Sequence, residues 1–229
     1  MVLIASLAGC QGTPLFGAQR DERLMQLAVA EAGQIPQPEQ KLRNLLVLAD
    51  LQLDRRYPSD AVESLSQARN VLVEADDSLD EHTRISGWVS LSELLLRASR
   101  KAAADRAIDQ AVEELMQLEP PTRRLDYVRG IGRQIRALRG KQAAAELVAR
   151  ASDWVVDLED QQARRQATEA MADDLFDYGD YEAGVAMLHT DSDIAWRTET
   201  LTNLARRSRK AKWGKSVDFY SVFGSGSGL

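Results

Sequence analysis

Small residues recur along this chain in a fixed relation to bulky apolar ones. The first small position of each copy is an alanine, at Ala61, Ala104, Ala144 and Ala183, so the intervals are 43, 40 and 39 residues. Seven positions later the first three copies have a second alanine, at Ala68, Ala111 and Ala151, and the fourth copy is weaker. Because small side chains let two helices approach closely, this pattern predicts stacked pairs of helices.

A second set of positions lies upstream of each alanine pair. Twelve residues before the first alanine stands another small residue in three copies, at Ala49, Ser92 and Gly132, with Met171 beside Ala172 in the fourth. Four residues before those come Leu45, Trp88, Val128 and Ala167. The bulky residues of this set are expected to fill the groove to the next repeat.

Helix-breaking residues agree with this period. Tyr57-Pro58, Gly140 and Tyr178-Gly179 are breaks of this kind. Ser78 to Glu81 has the pattern of a capping box at the start of a helix. The predicted helices cover residues 19–33, 38–54, 59–75, 80–99, 122–138, 141–158, 161–178, 180–189 and 193–211.

The order of bulky residue, small residue and paired alanines resembles the tetratricopeptide repeat over about residues 38–209. The resemblance implies an all-α fold in which αα-hairpins stack into a right-handed superhelix and a concave face binds a protein or peptide. These repeats are longer than the ~34 residues of the standard repeat, which implies helices extended by one or two turns. A generic αα-superhelix is an alternative that fits the same pattern.

Composition favours helices throughout. Ala, Leu, Arg, Glu and Gln are abundant and have high helix propensity, whereas aromatic residues make up only 6%. Hydrophobic residues make up 44% and charged residues 28%, as in ordinary globular proteins.

The N-terminal residues Leu7-Ala8-Gly9-Cys10 resemble the lipobox of bacterial lipoproteins. The resemblance implies lipidation at Cys10 and an anchor in the cell envelope. Gln11, directly after the cysteine, more weakly implies retention in the outer membrane. Together with the repeat pattern and the change of composition near the C-terminus, the resemblance divides the chain into a signal peptide remnant (1–9), a lipidated tether (10–18), a helical repeat domain (19–211) and a flexible, non-helical tail (212–229). A basic region before the apolar run is missing, so a cytosolic chain with an accidental lipobox is the alternative.

Charge is unevenly distributed along the chain. The net charge of −6 argues against binding nucleic acid, whose phosphates would be repelled on average. A candidate basic surface that could contact anionic lipid headgroups or an acidic partner lies near the C-terminus, and a solvated helix end is the other interpretation. Its residues are Arg206, Arg207, Arg209, Lys210, Lys212 and Lys215. The aromatic, Gly/Ser-rich tail that follows is either disordered or a short docking peptide.

The sequence offers little that could support catalysis or a cofactor. The chain has one cysteine and two histidines, His82 and His189, which are far apart in the repeat order, so no metal site is predicted. Asp173, Asp174 and Asp177 could share one helical face and act in acid–base chemistry, although an exposed charged face is the preferred interpretation. Gly130 and Gly132 resemble a phosphate-binding loop only superficially, because they lie inside a helical pattern.

Together these features predict a non-enzymatic scaffold. The preferred hypothesis is a lipid-anchored helical-repeat protein of the bacterial cell envelope that mediates protein–protein interaction, with no cofactor and no small-molecule substrate. A cytosolic repeat adaptor or regulatory subunit is the first alternative. An enzyme on an αα-scaffold is the second, and the low aromatic content argues against it.

Overall fold

The computed structural model describes residues 14–75 and 78–210, with side chains for residues 23–75 and 78–207. Within these ranges the chain is helical and contains no β-strand, which confirms the predicted all-α class. A 3-10 turn, Pro121–Arg124, precedes α6. The α-helices are α1 (Pro14–Gly33), α2 (Pro38–Asp54), α3 (Pro58–Glu74), α4 (Glu81–Arg97), α5 (Lys101–Gln117), α6 (Leu125–Arg139), α7 (Lys141–Arg150), α8 (Ser152–Val156), α9 (Gln161–Tyr178), α10 (Tyr181–Leu188) and α11 (Ile194–Lys210).

Neighbouring helices pack as successive hairpins. The pairs are α2 with α3, α4 with α5, α6 with α7, and α9 with α10. At one end α1 packs on α2 and α3. At the other end Leu204 of α11 joins Ala172 and Leu188 in a small separate core cluster. The described chain is therefore a stack of helical hairpins with an additional helix at each end, consistent with a superhelix.

The small repeat positions lie in the interior of this stack. Seven of the repeat alanines are fully buried, and Trp88 is 4% exposed. The seven buried alanines are Ala49, Ala61, Ala68, Ala104, Ala111, Ala144 and Ala151. Ala183 differs, because it is only half-buried, and the neighbouring Gly184 is the buried small residue of α10. The fourth repeat therefore makes its close contact one residue later than predicted.

Glycines mark the closest helix contacts. A Cβ atom at Gly87 of α4 would lie 2.9 Å from Leu72 Cδ2 and 3.0 Å from Leu42 Cδ2. One at Gly184 would lie 2.5 Å from a ring carbon of Phe176. The repeat pattern did not single out either glycine, since neither stands at the position occupied by alanine in the other copies.

Several helix ends differ from prediction. The first helix begins at Pro14 and so includes part of the predicted tether; proline suits this place because its missing N–H is not needed in the first turn. Asp80, not Ser78, caps α4, by accepting a hydrogen bond from the Thr83 N–H at 2.6 Å. The predicted helix 141–158 divides at Ala151, where the Ser152 hydroxyl donates to the Ala149 carbonyl.

Buried polar side chains in the first two hairpins are paired. The Ser64 hydroxyl donates a 2.8 Å hydrogen bond to Gln52 Oε1, and both residues are buried. The Ser92 hydroxyl donates to the Ala104 carbonyl oxygen at 2.9 Å. Such bonds offset the free energy lost when polar groups leave water, and they link the two helices of each hairpin.

Candidate interaction surface

The first helices of the hairpins form one continuous face. Helix α2 contacts α4, α4 contacts α6, and α6 contacts α9. The second helices α3 and α5, by contrast, are separated by a groove. Over the first three hairpins the first helices therefore lie closer together than the second helices do. The surface of α2, α4 and α6 that faces away from the core is called the inner face below.

Two adjoining cavities open on the inner face. One, of about 360 Å³, lies between α2 and α4, and the other, of about 450 Å³, lies between α4 and α6. His82, Ser86 and Ser90 of α4 line both. Gly130 of α6 lines the second, and a Cβ atom placed there would meet no other atom within 4 Å. Together the cavities form a groove over α4. Its lining contains the small residues Ser86, Ser90 and Gly130, beside larger ones such as Leu46 and Val89.

A polar aromatic pair lies at the start of α4, beside the second cavity. His82 Nδ1 is 2.9 Å from the Tyr127 hydroxyl oxygen, and the two ring centres are 5.7 Å apart. Burial, helped by the nearby Asp126 carboxylate, raises the pKa of Tyr127. Its phenol therefore stays neutral at physiological pH and can donate a hydrogen bond to a ligand or to His82.

Charged and apolar groups alternate on the α2 edge of the inner face. Arg97 of α4 contacts the carboxylates of Asp50 and Asp54 on α2, and these bonds raise its pKa. Beside these carboxylates α2 exposes two large apolar side chains, Val47 (62%) and Leu51 (41%). Such mixed surfaces are typical of non-obligate protein interfaces, in which apolar contacts are surrounded by polar groups.

The acidic face of α9 joins that helix to its neighbours. Asp174 accepts two hydrogen bonds from Arg129 of α6, at 2.6 and 3.0 Å. Asp173 lies 4.0 Å from Arg207 of α11, and burial, followed by the charge of Asp177, raises its pKa. Asp173 and Asp174 are half-buried, contrary to the exposed charged face that was expected. The two hydrogen bonds from Arg129 give Asp174 a structural role, whereas Asp173 only approaches Arg207.

The predicted basic surface is partly used within the fold. Arg207 pairs with Glu169 at 2.9 Å, so its charge is already matched by α9. Arg206 is exposed. Arg209 and Lys210 belong to the last turn of α11. Cys10, Lys212, Lys215 and the tail 212–229 lie outside the described residues.

The two histidines do not come together. His82 lies on α4, and His189 follows α10. Among the described residues, no group of three or more His, Cys, Asp or Glu side chains is arranged to hold a metal ion. No helix in the same part of the chain is long and apolar enough to cross a bilayer.

Sequence reasoning missed most of the residues that line the inner face. Ser86, Ser90 and the cavities beside them were not singled out, and Gly130 was considered only as part of a phosphate loop. One available signal was that Gly130 lies inside a helix without occupying a repeat packing position. A helical glycine that no neighbouring helix contacts leaves surface open.

Comparison with known proteins adds little to this description. No protein-family model matches the chain, and no curated protein matches it. A solved structure to which the chain is similar is that of a Podospora anserina protein provisionally described as a kinesin light chain, with nearly identical TPR-like repeats. It has 20% sequence identity and a TM-score of 0.47, and the match covers 78% of this chain and 91% of that one. The packing of its own helices and the continuous inner face make the chain an α-helical hairpin-repeat protein.

Proposed function

We propose that this protein is a scaffold that binds a protein or peptide on its inner face. The observation that carries the proposal is the groove over α4, whose lining includes the small residues Ser86, Ser90 and Gly130. Helix-spanning grooves with small lining residues accept main chain or side chains of a partner, while His82 and Tyr127 supply hydrogen bonds at one end. No catalytic group is needed for this activity.

The inner face can be tested by site-specific photo-crosslinking in cells. A photoreactive amino acid at Ser90 is expected to form a crosslink to a discrete partner. The matched position is Gln142, an exposed polar residue on α7, which is expected to form none. A Gly130→Trp substitution should abolish the Ser90 crosslink without unfolding the chain, because its side chain enters open space. Crosslinking that is equal at both positions, or unchanged by Gly130→Trp, would contradict the proposal.

The second part of the proposal is that Cys10 carries a lipid anchor that holds the scaffold at the bacterial envelope. The support is the sequence Leu7-Ala8-Gly9-Cys10. Two or three acyl chains, at ~0.8 kcal/mol for each buried methylene, hold a domain at a membrane essentially permanently. Only residues 11–13 separate Cys10 from the first turn of α1.

Expression with the native upstream region, followed by fractionation and mass spectrometry of the mature N-terminus, tests the anchor. An acylated Cys10 in the membrane fraction, lost in a Cys10→Ser variant, is the expected result. A soluble chain that retains Met1 would contradict the anchor and leave a cytosolic adaptor, whose inner-face binding the crosslinking experiment tests separately.

A further inference from the structure

A larger groove lies on the opposite side of the stack, between α3 and α5. We infer that this outer groove binds an acidic peptide segment whose apolar side chains enter the groove between the two helices. The inference concerns a different surface from the inner face and requires neither the lipid anchor nor the inner-face partner.

The size and shape of the outer groove suit a peptide. Its volume is about 750 Å³, within the roughly 300–1,000 Å³ of typical ligand sites. It follows α3 from Val62 to Val73 and α5 from Arg100 to Gln110. At 1.5 Å per residue this is a length of roughly 16 Å. That length accommodates about five residues of an extended strand or about three turns of a helix.

The floor of the outer groove is apolar. The bottom of the groove is lined by three side chains of α4, Trp88, Leu91 and Leu95, and Leu65 of α3 lies at its side. Val73, which also lines the groove, is 54% exposed. The side chains of the floor are already buried, so an apolar side chain entering here would remove mainly the surface of Val73 from water, which is favourable in proportion to the area buried.

The rim of the outer groove is positively charged. Arg69, Arg100 and Arg106 line it, and in the described part of the chain no carboxylate pairs with any of them. The one carboxylate that lines the groove, Asp109, pairs at 2.6 Å with Arg139, which also pairs with Asp105. The groove therefore carries unmatched positive charge in a protein whose net charge is −6. This favours an acidic partner, because arginine forms paired hydrogen bonds with carboxylates.

The experiment uses the full chain and a display library of random dodecapeptides. Selection is run on the wild-type protein without counter-selection, so that the charge of the enriched peptides is not imposed by the variants tested later. The enriched peptides are expected to combine Asp or Glu with large apolar residues. They are then synthesised with a fluorescent label, and their Kd is measured by fluorescence anisotropy at low and high salt.

Charge reversal in an Arg69→Glu/Arg106→Glu variant should weaken binding by about tenfold or more, since two exposed ion pairs are replaced by two repulsions. The matched control is Arg133→Glu/Lys141→Glu, which makes the same charge change at exposed basic residues of α6 and α7. Its Kd should stay within about twofold of wild type. A Val73→Asp variant, altered at an exposed position, should also weaken binding, and raised salt should do the same.

Three results would overturn the inference: enriched peptides with no excess of acidic residues, an unchanged Kd for the Arg69→Glu/Arg106→Glu variant, or an equal loss in the control variant. Peptides whose binding is lost in Gly130→Trp but retained in the outer-groove variant would instead bind the inner face, which also contradicts it. Circular dichroism spectra establish that each variant is folded.

Discussion

A Cβ atom placed at Gly132 of α6 would stand 3.3 Å from the hydroxyl oxygen of Tyr178 on α9. The missing side chain therefore sets how closely these two helices pack. Two residues earlier, a Cβ atom at Gly130 would meet nothing within 4 Å. The same residue type thus serves two different purposes within one helical turn: close packing at Gly132 and open space in the groove at Gly130.

Substitutions at these two glycines should have opposite effects on stability. Gly130→Ala should raise the free energy of unfolding by about 0.5–1 kcal/mol, because alanine loses less backbone entropy in a helix. Gly132→Val should lower it by about 1–3 kcal/mol, because the added carbons overpack the contact with Tyr178. Urea denaturation followed by circular dichroism measures both changes. A destabilising Gly130→Ala would show that Gly130 is also a packing position.

Much of the fold could be predicted from the sequence, because it depends on local and periodic signals. The buried alanines of the first three repeats, at intervals such as that from Ala61 to Ala104, indicated the hairpins before any contact was known. Helix ends were less predictable. Ser78 has the right residue type for a cap, but Asp80 makes the bond to the Thr83 N–H, since only the folded backbone decides which oxygen is in reach.

The candidate surfaces could not be predicted in the same way. The outer groove needs Arg69 and Arg106, which stand 37 positions apart in sequence, to face a common space. Asp109, the carboxylate that lines the same groove, pairs with Arg139 of another helix instead. Pairing of this kind depends on distances between helices, about which the repeat pattern carries no information.

The buried pair of Ser64 and Gln52 should be sensitive to loss of one partner. Ser64→Ala leaves Gln52 Oε1 in the interior without its 2.8 Å hydrogen bond and should cost about 1–3 kcal/mol of unfolding free energy. Replacing both residues, by Gln52→Leu with Ser64→Ala, should recover much of the loss, because no unpaired polar atom remains. Ser66→Ala on the exposed side of the same helix is the control, with an expected change within about 0.5 kcal/mol. If the double variant is less stable than Ser64→Ala, the hydrogen bond is not the cause.

Adjacent carboxylates on α9 should respond differently to neutralisation. Asp174→Asn weakens the two hydrogen bonds from Arg129 and should lower the free energy of unfolding by about 1 kcal/mol at neutral pH, a value reduced because Arg129 is half-exposed. Asp173→Asn should leave stability unchanged or raise it. Burial and Asp177 raise the pKa of Asp173, so its ionised form costs the folded state free energy.

The pH dependence of Asp173→Asn follows from the sign of that pKa shift. A raised pKa means that the folded state binds the proton more tightly than the unfolded state does. The cost therefore appears above the ordinary carboxyl pKa of about 4 and is absent at lower pH. The urea midpoint of Asp173→Asn should lie above that of wild type near neutral pH, and this difference should disappear in acid. A difference that grows as the pH falls would contradict the assigned shift.

Arg165 of α9 holds the segment that leads into α11, and its removal should reduce stability in a pH-dependent way. It donates to Asp191 at 2.7 Å and to Asp193 at 2.8 Å. The bond from Arg165 is the main cause of a lowered pKa at Asp191. At Asp193 the pKa is also lowered, by the Trp196 backbone N–H first and by Arg165 second. A lowered carboxyl pKa gives stabilisation that is present above the ordinary value, about 4, and is lost as the pH falls through the lowered one.

Arg165→Ala should therefore shift the urea midpoint down near neutral pH, with a smaller difference from wild type at about pH 3. Arg165→Lys keeps the charge but cannot reproduce the paired hydrogen bonds to Asp191. Its urea midpoint should therefore lie between those of wild type and Arg165→Ala. Arg165 also lies 5.2 Å from the centre of the Trp196 ring, a contact that does not titrate with the carboxylates. If the midpoint difference of Arg165→Ala stays constant into acid, that ring contact and not the ion pairs holds the start of α11.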